Sequence, residues 1–274
     1  MIELQHILHD LQAFIPSIGT YQLSFFRDSE YRLGYLKNDR EIVSEVDIES
    51  ERKIISYLRT ILPQAACYGE ETDQLWGDEW TWVIDPIDGT VNYVSGLTDW
   101  AISIGLLYRK KPVLGLIYQP AVNDTFTAIT GEGAWFNGKA LPVLPFSGPL
   151  QEALLATGLP FRSPDVAHGF YLCAEKLLPH CREIRRRGSA ALDLAYLGSG
   201  FFQGYWETDL KLYDIAAAYV ILQETGMVIS DFFGNRYDLL SSRSLIVAHP
   251  LIYKELMSYI AGGYADYRDL LQQK

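Results

Sequence analysis

Apolar positions Ile2, Leu4, Ile7, Leu8, Leu11 and Phe14 follow helical spacing, which predicts a helix over 2–27 kinked or broken at Pro16. Leu36-Lys37-Asn38 and the alternating run Glu41 to Asp47 come next, ending on an acid. A second helical stripe (Ile48, Ile55, Leu58, Leu62) follows and stops before Pro63, so Asp47 reads as an ordinary helix N-cap. Cys67-Tyr68-Gly69-Glu70-Glu71 reads as a short strand entering a turn, and 74–81 as a polar loop rich in Trp. Trp82-Val83-Ile84 is the end of a buried strand. Trp100 to Tyr108, Pro112 to Tyr118, Asp124 to Ala128 and Ala134 to Phe136 are strands, with turns at Arg109-Lys110-Lys111 and Asn137-Gly138. That is a run of antiparallel hairpins.

Residues 141–149, with Pro142, Pro145, Gly148 and Pro149, form the natural boundary. It separates an N-terminal α+β half, 1–140, from a C-terminal α/β half, 150–274, the two together making one catalytic unit. In the second half Leu154 to Thr157 is strand-like, 168–178 helical, and Cys181 to Arg187 extended. Ser189 caps a helix through Leu197, and Phe201 to Trp206 is a strand. Leu212 to Thr225 is a helix closed by Gly226, Met227 to Ile229 and Leu245 to Val247 are strands, and Pro250 to Ile260 is the last helix. Strand and helix alternate, so this half is βα-layered.

Composition narrows the function. The chain is 49% apolar and 21% charged, which is globular, and its 274 residues can bury a large core. A net charge of −11 argues against nucleic acid or an anionic membrane as the main partner. Cys67, Cys173 and Cys181 make an odd count without a CxxC, so neither a disulfide framework nor a zinc site is expected. Buried thiols, no visible signal peptide and no apolar run of membrane-spanning length make the cytoplasm the expected compartment. The five histidines have no metal or triad spacing, and no P-loop is present.

The chemistry is concentrated in Trp80 to Asn92. There the strand runs into Asp85-Pro86-Ile87-Asp88-Gly89-Thr90, two carboxylates three residues apart on a turn. Like charges so placed repel unless something cationic lies between them. Pro86 biases Asp85 towards extended geometry, and Gly89 lets a ligand come close to its N–H. If Thr90 opens a helix, the N–H groups of Gly89 and Thr90 make an anion site beside the acids. Acids for Mg²⁺ beside donors for an anion point to metal-assisted phosphate chemistry. An Asp-Pro turn followed by a cap accounts for either Asp alone, but does not need both. Other acids are individually unremarkable. Glu70 suits a solvated surface, and Asp214 a helix dipole, although Ala217 and Ala218 beside it leave room for a ligand. The run Arg182, Arg185, Arg186, Arg187 reads first as a solvated face and second as an electrostatic lead-in to an anionic substrate.

Taken together, these motifs resemble the inositol monophosphatase family. Trp82 to Asn92 matches its strand-Asp-Pro-Ile-Asp-Gly-Thr-x-Asn motif, Gly69-Glu70-Glu71 its Gly-Glu-Glu, Gly188-Ser189-Ala190-Ala191 its Gly-Ser-Ala-Ala loop, and Tyr213-Asp214-Ile215-Ala216-Ala217 its aromatic-Asp-x-Ala-Ala. The hairpin segment Gly131-x-Gly133-Ala134-x-x-Asn137-Gly138 is similar too, so the likeness spans about Lys37 to about Phe233. The resemblance implies a layered αβαβα sugar-phosphatase fold of α+β (α/β) class, two to three Mg²⁺ per site, lithium sensitivity and a homodimer. It implies that Glu70, Asp85 and the Ile87 carbonyl hold one Mg²⁺, that Asp85, Asp88 and Asp214 hold a second, and that Glu70 serves a weaker third. Thr90, supported by Asp47 and Glu70, would orient and activate the attacking water. Asp88, Gly89 and Thr90 would meet the phosphate, and Gly188, Ser189, Ala190 and Glu207 the alcohol half.

Two positions depart from the family pattern: Tyr213 stands for its usual Trp, and Val46 for a Thr. Asn92-Tyr93 resembles the inositol- and fructose-phosphate members more than those that cleave nucleotides. The expected activity is hydrolysis of a sugar or polyol phosphate, inositol monophosphate first. Fructose 1,6-bisphosphate and histidinol phosphate are its rivals, and a non-catalytic regulatory relative is the alternative from another class.

Overall fold

The computed structural model describes residues 2–28, 42–143 and 146–272, with 35–36 beside them; of 35–36 and 42–43 the backbone alone is described. Lys37, Asn38, Glu41 and Pro145, named above, lie outside the described residues. Two compact units emerge. The first comprises Met1–Leu141, Gly188–Leu192 and Tyr213–Glu224; the second comprises Pro142–Arg187, Asp193–Leu212 and Thr225–Lys274. The 141–149 boundary ends the continuous part of the first unit. Two later segments nevertheless return to it, and Asp214 comes with them.

The first unit begins with α1 (Leu4–Phe25), a short antiparallel pair β1 (Tyr35–Leu36) and β2 (Ile42–Val43), and α2 (Glu45–Ile61). A seven-stranded sheet follows, in the order β3 (Ala66–Gly69), β4 (Trp80–Asp88), β5 (Ala101–Tyr108), β6 (Lys111–Gln119), β7 (Asp124–Ile129), β8 (Gly133–Phe136), β9 (Lys139–Ala140), with α3 (Thr90–Ser95) after β4. Apart from the parallel β3–β4 pair it is antiparallel, as the hairpin pattern predicts.

Every second strand residue, such as Trp82, Ile84, Ile102, Ile104, Leu114 and Leu116, enters one core with the apolar faces of α1 and α2. Of the kink or break expected at Pro16, the break does not occur, and α1 runs through it. Pro16 lies on the exposed face, where water can serve the carbonyl left without its donor. Five buried side chains of α1 (Ile7, Leu8, Leu11, Ile15, Ile18), at roughly 1.5–3 kcal/mol each, outweigh the ~3 kcal/mol of a mid-helix proline.

The opposite sheet face meets α6 (Leu212–Glu224) at very short range. A Cβ added at Gly105 would stand 3.1 Å from Ala216 Cβ, and one at Gly115 would overlap the Ala217 carbonyl. The small residues after Asp214 therefore serve close packing of helix on sheet, not room for a ligand as the sequence suggested for Ala217. The Ser103 hydroxyl donates to the Tyr213 carbonyl at 3.3 Å, and Glu224 at the far end accepts the N–H groups of Gly131 and Gly133 at 2.8 and 2.9 Å.

The second unit holds a five-stranded mixed sheet, in the order β11 (Glu183–Arg185), β10 (Leu154–Thr157), β12 (Gly204–Thr208), β14 (Ser244–Ala248), β13 (Val228–Ser230). Its core combines Leu155, Trp206 and Ile246 with α4 (Ala167–Leu177) and α7 (Pro250–Gly263); α8 (Arg268–Gln272), not anticipated from periodicity, adds Leu271. Helix α5 (Ala190–Gly198) starts in the first unit and continues in the second. Mixed sheets layered with helices bear out the α+β class. No helix among the described residues is long and apolar enough to cross a membrane.

Candidate metal centre

Residues three apart on a regular strand point to opposite faces. Asp85 and Asp88 are three apart, yet they meet. The expected end of the strand at Ile84 is also not found, because β4 continues through Asp88. Its register with β5 runs Asp85↔Ser103 and then Asp88↔Ala101, three residues against two, and this bulge turns both acids to the same side. Pro86 sits in the bulge, where its missing N–H breaks no regular ladder bond. Its carbonyl accepts from Gln22 Nε2 at 2.8 Å, and Asp85 Oδ1 accepts the Ile87 N–H at 3.1 Å.

The close seat of α6 adds the third acid. Carboxyl oxygens of Asp85, Asp88 and Asp214 lie within 4.8 Å of one another, and all three residues are buried. Glu70, just after β3, is hydrogen-bonded to the Asp85 side chain. Asp85 is pushed well above the usual carboxylate range, first by burial and then by Glu70, Asp88 and Asp214. Each of these opposes ionisation, and a bound divalent cation would resolve the conflict. Oxygen donors dominated by carboxylates suit Mg²⁺ among the hard cations, so the residues present fit the metal that the motifs implied.

Asp88 is held from the far segment of the chain. Its Oδ2 accepts from the Ser189 hydroxyl at 2.5 Å and from the Ala191 N–H at 2.7 Å. Ser189 also caps α5 as predicted, accepting the Leu192 N–H at 3.3 Å. Its expected contact with the alcohol half of a substrate thus has a rival in its contact with Asp88. Gly89 adopts φ 98°, and an added Cβ would lie 2.9 Å from the Asp99 carbonyl and 3.2 Å from that of Gly188, so only glycine fits. Gly188 is therefore beside Gly89, and Ala190 is the first residue of α5. Thr90 does open α3, whose first N–H groups have no partner inside the helix.

The Thr90 hydroxyl lies 3.0 Å from both Asp47 Oδ1 and the Ile87 carbonyl, and its single proton serves one of them at a time. That carbonyl keeps a second lone pair for a cation. Asp47 is not the N-cap predicted above. Ser44 caps α2, and Asp47 is the third helical residue, completing a capping box with the Ser44 N–H at 3.0 Å. Burial pushes the Asp47 carboxyl up to about 7, against the lowering pull of Ser44 and Thr90.

Glu207 belongs to the second unit, where it accepts from the Tyr205 hydroxyl. Arg182, Arg185 and Arg186 are exposed, and Arg187 stacks over Tyr196 at 4.3 Å, which favours the solvated reading of the run. Sequence reasoning missed Ser44, Gln22 and Glu51, all three contacting this region. Ser44 was legible as a Ser-x-x-Asp box, Gln22 as a polar residue in the apolar stripe of α1, and Glu51 as the acid one helical turn after Asp47.

The inositol monophosphatase family model matches residues 18–262, nearly the whole chain. The chain belongs to that family. A Pasteurella multocida protein named Nus factor SuhB is 37% identical over 233 residues, covering 84% of this chain and 86% of the relative. Its Escherichia coli K12 namesake is 34% identical over 232 residues, with the same coverage. Among solved structures, the extragenic suppressor protein suhB of Bartonella henselae superposes with a TM-score of 0.87 at 28% identity, over 93% of this chain and 98% of that one. A Thermotoga maritima IMPase superposes with 0.82 at 30% identity, over 92% and 95%. The family is one of Mg²⁺-dependent phosphatases, and the acidic cluster is where this chain can hold a divalent cation.

Proposed function

We propose that the chain is a Mg²⁺-dependent phosphatase of sugar or polyol monophosphates, with inositol monophosphate as the leading substrate. The observation that carries this reading is the convergence of Asp85, Asp88 and Asp214 beside Glu70, one strand-end away from the Thr90–Asp47 pair. Bound Mg²⁺, two or three ions per site, supplies Lewis acidity, neutralising phosphate charge and lowering the pKa of the attacking water. Asp85, Asp88, Asp214, Glu70 and the Ile87 carbonyl are the ligands in this reading. The Thr90 oxygen accepts a proton from the attacking water and passes its own to Asp47 Oδ1. A base with a pKa near 7 suits work close to neutrality. Gly89 and Thr90 N–H groups hold phosphate oxygens, while Gly188 to Ala190 and Glu207 meet the alcohol. Water's oxygen becomes a phosphate oxygen as the ester P–O bond breaks. The leaving alkoxide takes a proton from solvent water, and Asp47 returns its proton to solvent, so ester and water give alcohol and phosphate. Lithium sensitivity, a homodimer and a cytoplasmic site belong to the same reading, the last in keeping with three free thiols.

Phosphate release from inositol monophosphate, fructose 1,6-bisphosphate, histidinol phosphate and other esters, with Mg²⁺ and with or without Li⁺, tests it. Activity should require Mg²⁺ and vanish in Asp88→Asn; an Asp88→Asn enzyme as fast as the wild type sinks the mechanism. The relatives' name, Nus factor, is not the name of an enzyme and supports a second reading as a non-catalytic factor. On that account the expectation that nucleic acid is no partner is not carried forward. Metal binding without hydrolysis of any ester in the panel selects this second reading.

A further inference from the structure

Helix α2 directs two acids towards the same region one turn apart, and the reading above uses only Asp47. The other, Glu51, is 0% exposed. Its Oε2 accepts the Glu71 N–H at 2.9 Å, while its Oε1 has no hydrogen-bond partner among the described residues. A Cβ on Gly69 would overlap that second oxygen, so the carboxyl group is wedged against the turn on both sides of Glu70. A buried polar oxygen without a partner weakens a fold, and an apolar side chain of similar size would avoid the penalty. Stability alone is therefore a poor account of an acid in this place. Its contacts give a better one. With the Glu71 N–H held and Gly69 in contact, the two peptide units flanking Glu70 have little freedom to rotate. The Glu70 N–H is itself tied to the Ile84 carbonyl at 3.1 Å, so the turn is fastened from the helix and from β4.

We propose that Glu51 is a positioning residue of the metal centre. It holds the Gly69-Glu70-Glu71 turn so that the Glu70 carboxyl stands against Asp85, and it acts only through that turn. The proposal rests on the reading of Glu70 and Asp85 as metal ligands.

Mn²⁺ binding to the full chain, followed by electron paramagnetic resonance, provides the test, together with amide exchange over 67–73 and kcat at saturating metal. Glu51→Ala and Glu51→Asp should weaken Mn²⁺ affinity about 10- to 100-fold and speed exchange at Glu71. Their kcat at saturating metal should fall much less than their affinity. Glu51→Gln keeps an acceptor at the same reach and should stay close to the wild type in both readouts. Should Glu51→Ala fail to fold, Glu51→Asp and Glu51→Gln decide. Wild-type affinity in the Ala or Asp variant, even with a lower melting temperature, reduces Glu51 to packing and overturns the proposal. A Gln variant as weak as Ala overturns it too. A wild-type chain that binds no Mn²⁺ overturns the metal reading itself, and this proposal with it.

Discussion

The Ser189 hydroxyl donates to Asp88 Oδ2 at 2.5 Å, joining two residues 101 apart in the chain. The same hydroxyl caps the N-terminus of α5, so one oxygen both starts a helix and orients an acid of the metal centre. Ser189→Ala should lower stability by about 1–3 kcal/mol, through the lost cap and the lost bond to a buried carboxyl. It should also weaken Mg²⁺ binding about tenfold. Denaturant unfolding and Mg²⁺ titration measure the two effects; a variant that loses stability but binds Mg²⁺ normally would separate the cap from the site.

Thr90 is expected to matter for turnover more than for metal. Thr90→Val keeps the shape and removes the proton path to Asp47, and should lower kcat by about 10²-fold or more. Thr90→Ser should restore most of the rate. Steady-state kinetics against Mg²⁺ concentration would show the change in kcat with little change in the metal requirement. A large shift in that requirement would mean that Thr90 shapes the ligand set.

Stability should depend on pH in a direction opposite to ordinary acid unfolding. Asp47 is pushed up to about 7 in the folded chain by burial, and Asp85 is also raised, by burial and by its acidic neighbours. Folded protein then holds these protons more tightly than unfolded chain does. The stabilisation is complete below the unfolded carboxyl pKa, at about pH 4, and is lost as pH rises through about 7. For metal-free protein the melting temperature should fall between pH 5 and pH 8, and Asp47→Asn should flatten that fall. Saturating Mg²⁺ should reverse it, since the cation binds the ionised acids. Calorimetric scans across that range settle the sign.

Gly115→Ala tests how Asp214 reaches the site. The new Cβ would overlap the Ala217 backbone, which cannot rotate aside as a side chain can. Helix α6 must move away from the sheet, at a cost of about 1–3 kcal/mol, taking Asp214 with it. Both melting temperature and Mg²⁺ affinity should drop. A stability loss with unchanged affinity would show that Asp214 is positioned independently of this contact.

The sequence by itself determined the inventory. Helices and hairpins follow from the 3.6- and 2-residue periods, Ser189 as a cap from its place before an apolar run, and the Asp85-to-Thr90 motif from its own residues, while the helix start at Thr90 stood only as a condition. These signals are local, and local backbone preferences suffice to express them. Tertiary structure decided the rest. Asp85 and Asp88 share a side because β4 bulges against β5. Asp214 joins them because Gly105 and Gly115 admit α6, and Ser189 turns to Asp88 because its segment packs back on Gly89. Ser44 displaced Asp47 as the cap of α2 and freed an oxygen of Asp47 for Thr90, while the packed core carried α1 through Pro16. The energies that decide these features, core burial and the cost of buried acids, arise between residues far apart in the chain, and no window of local sequence contains them.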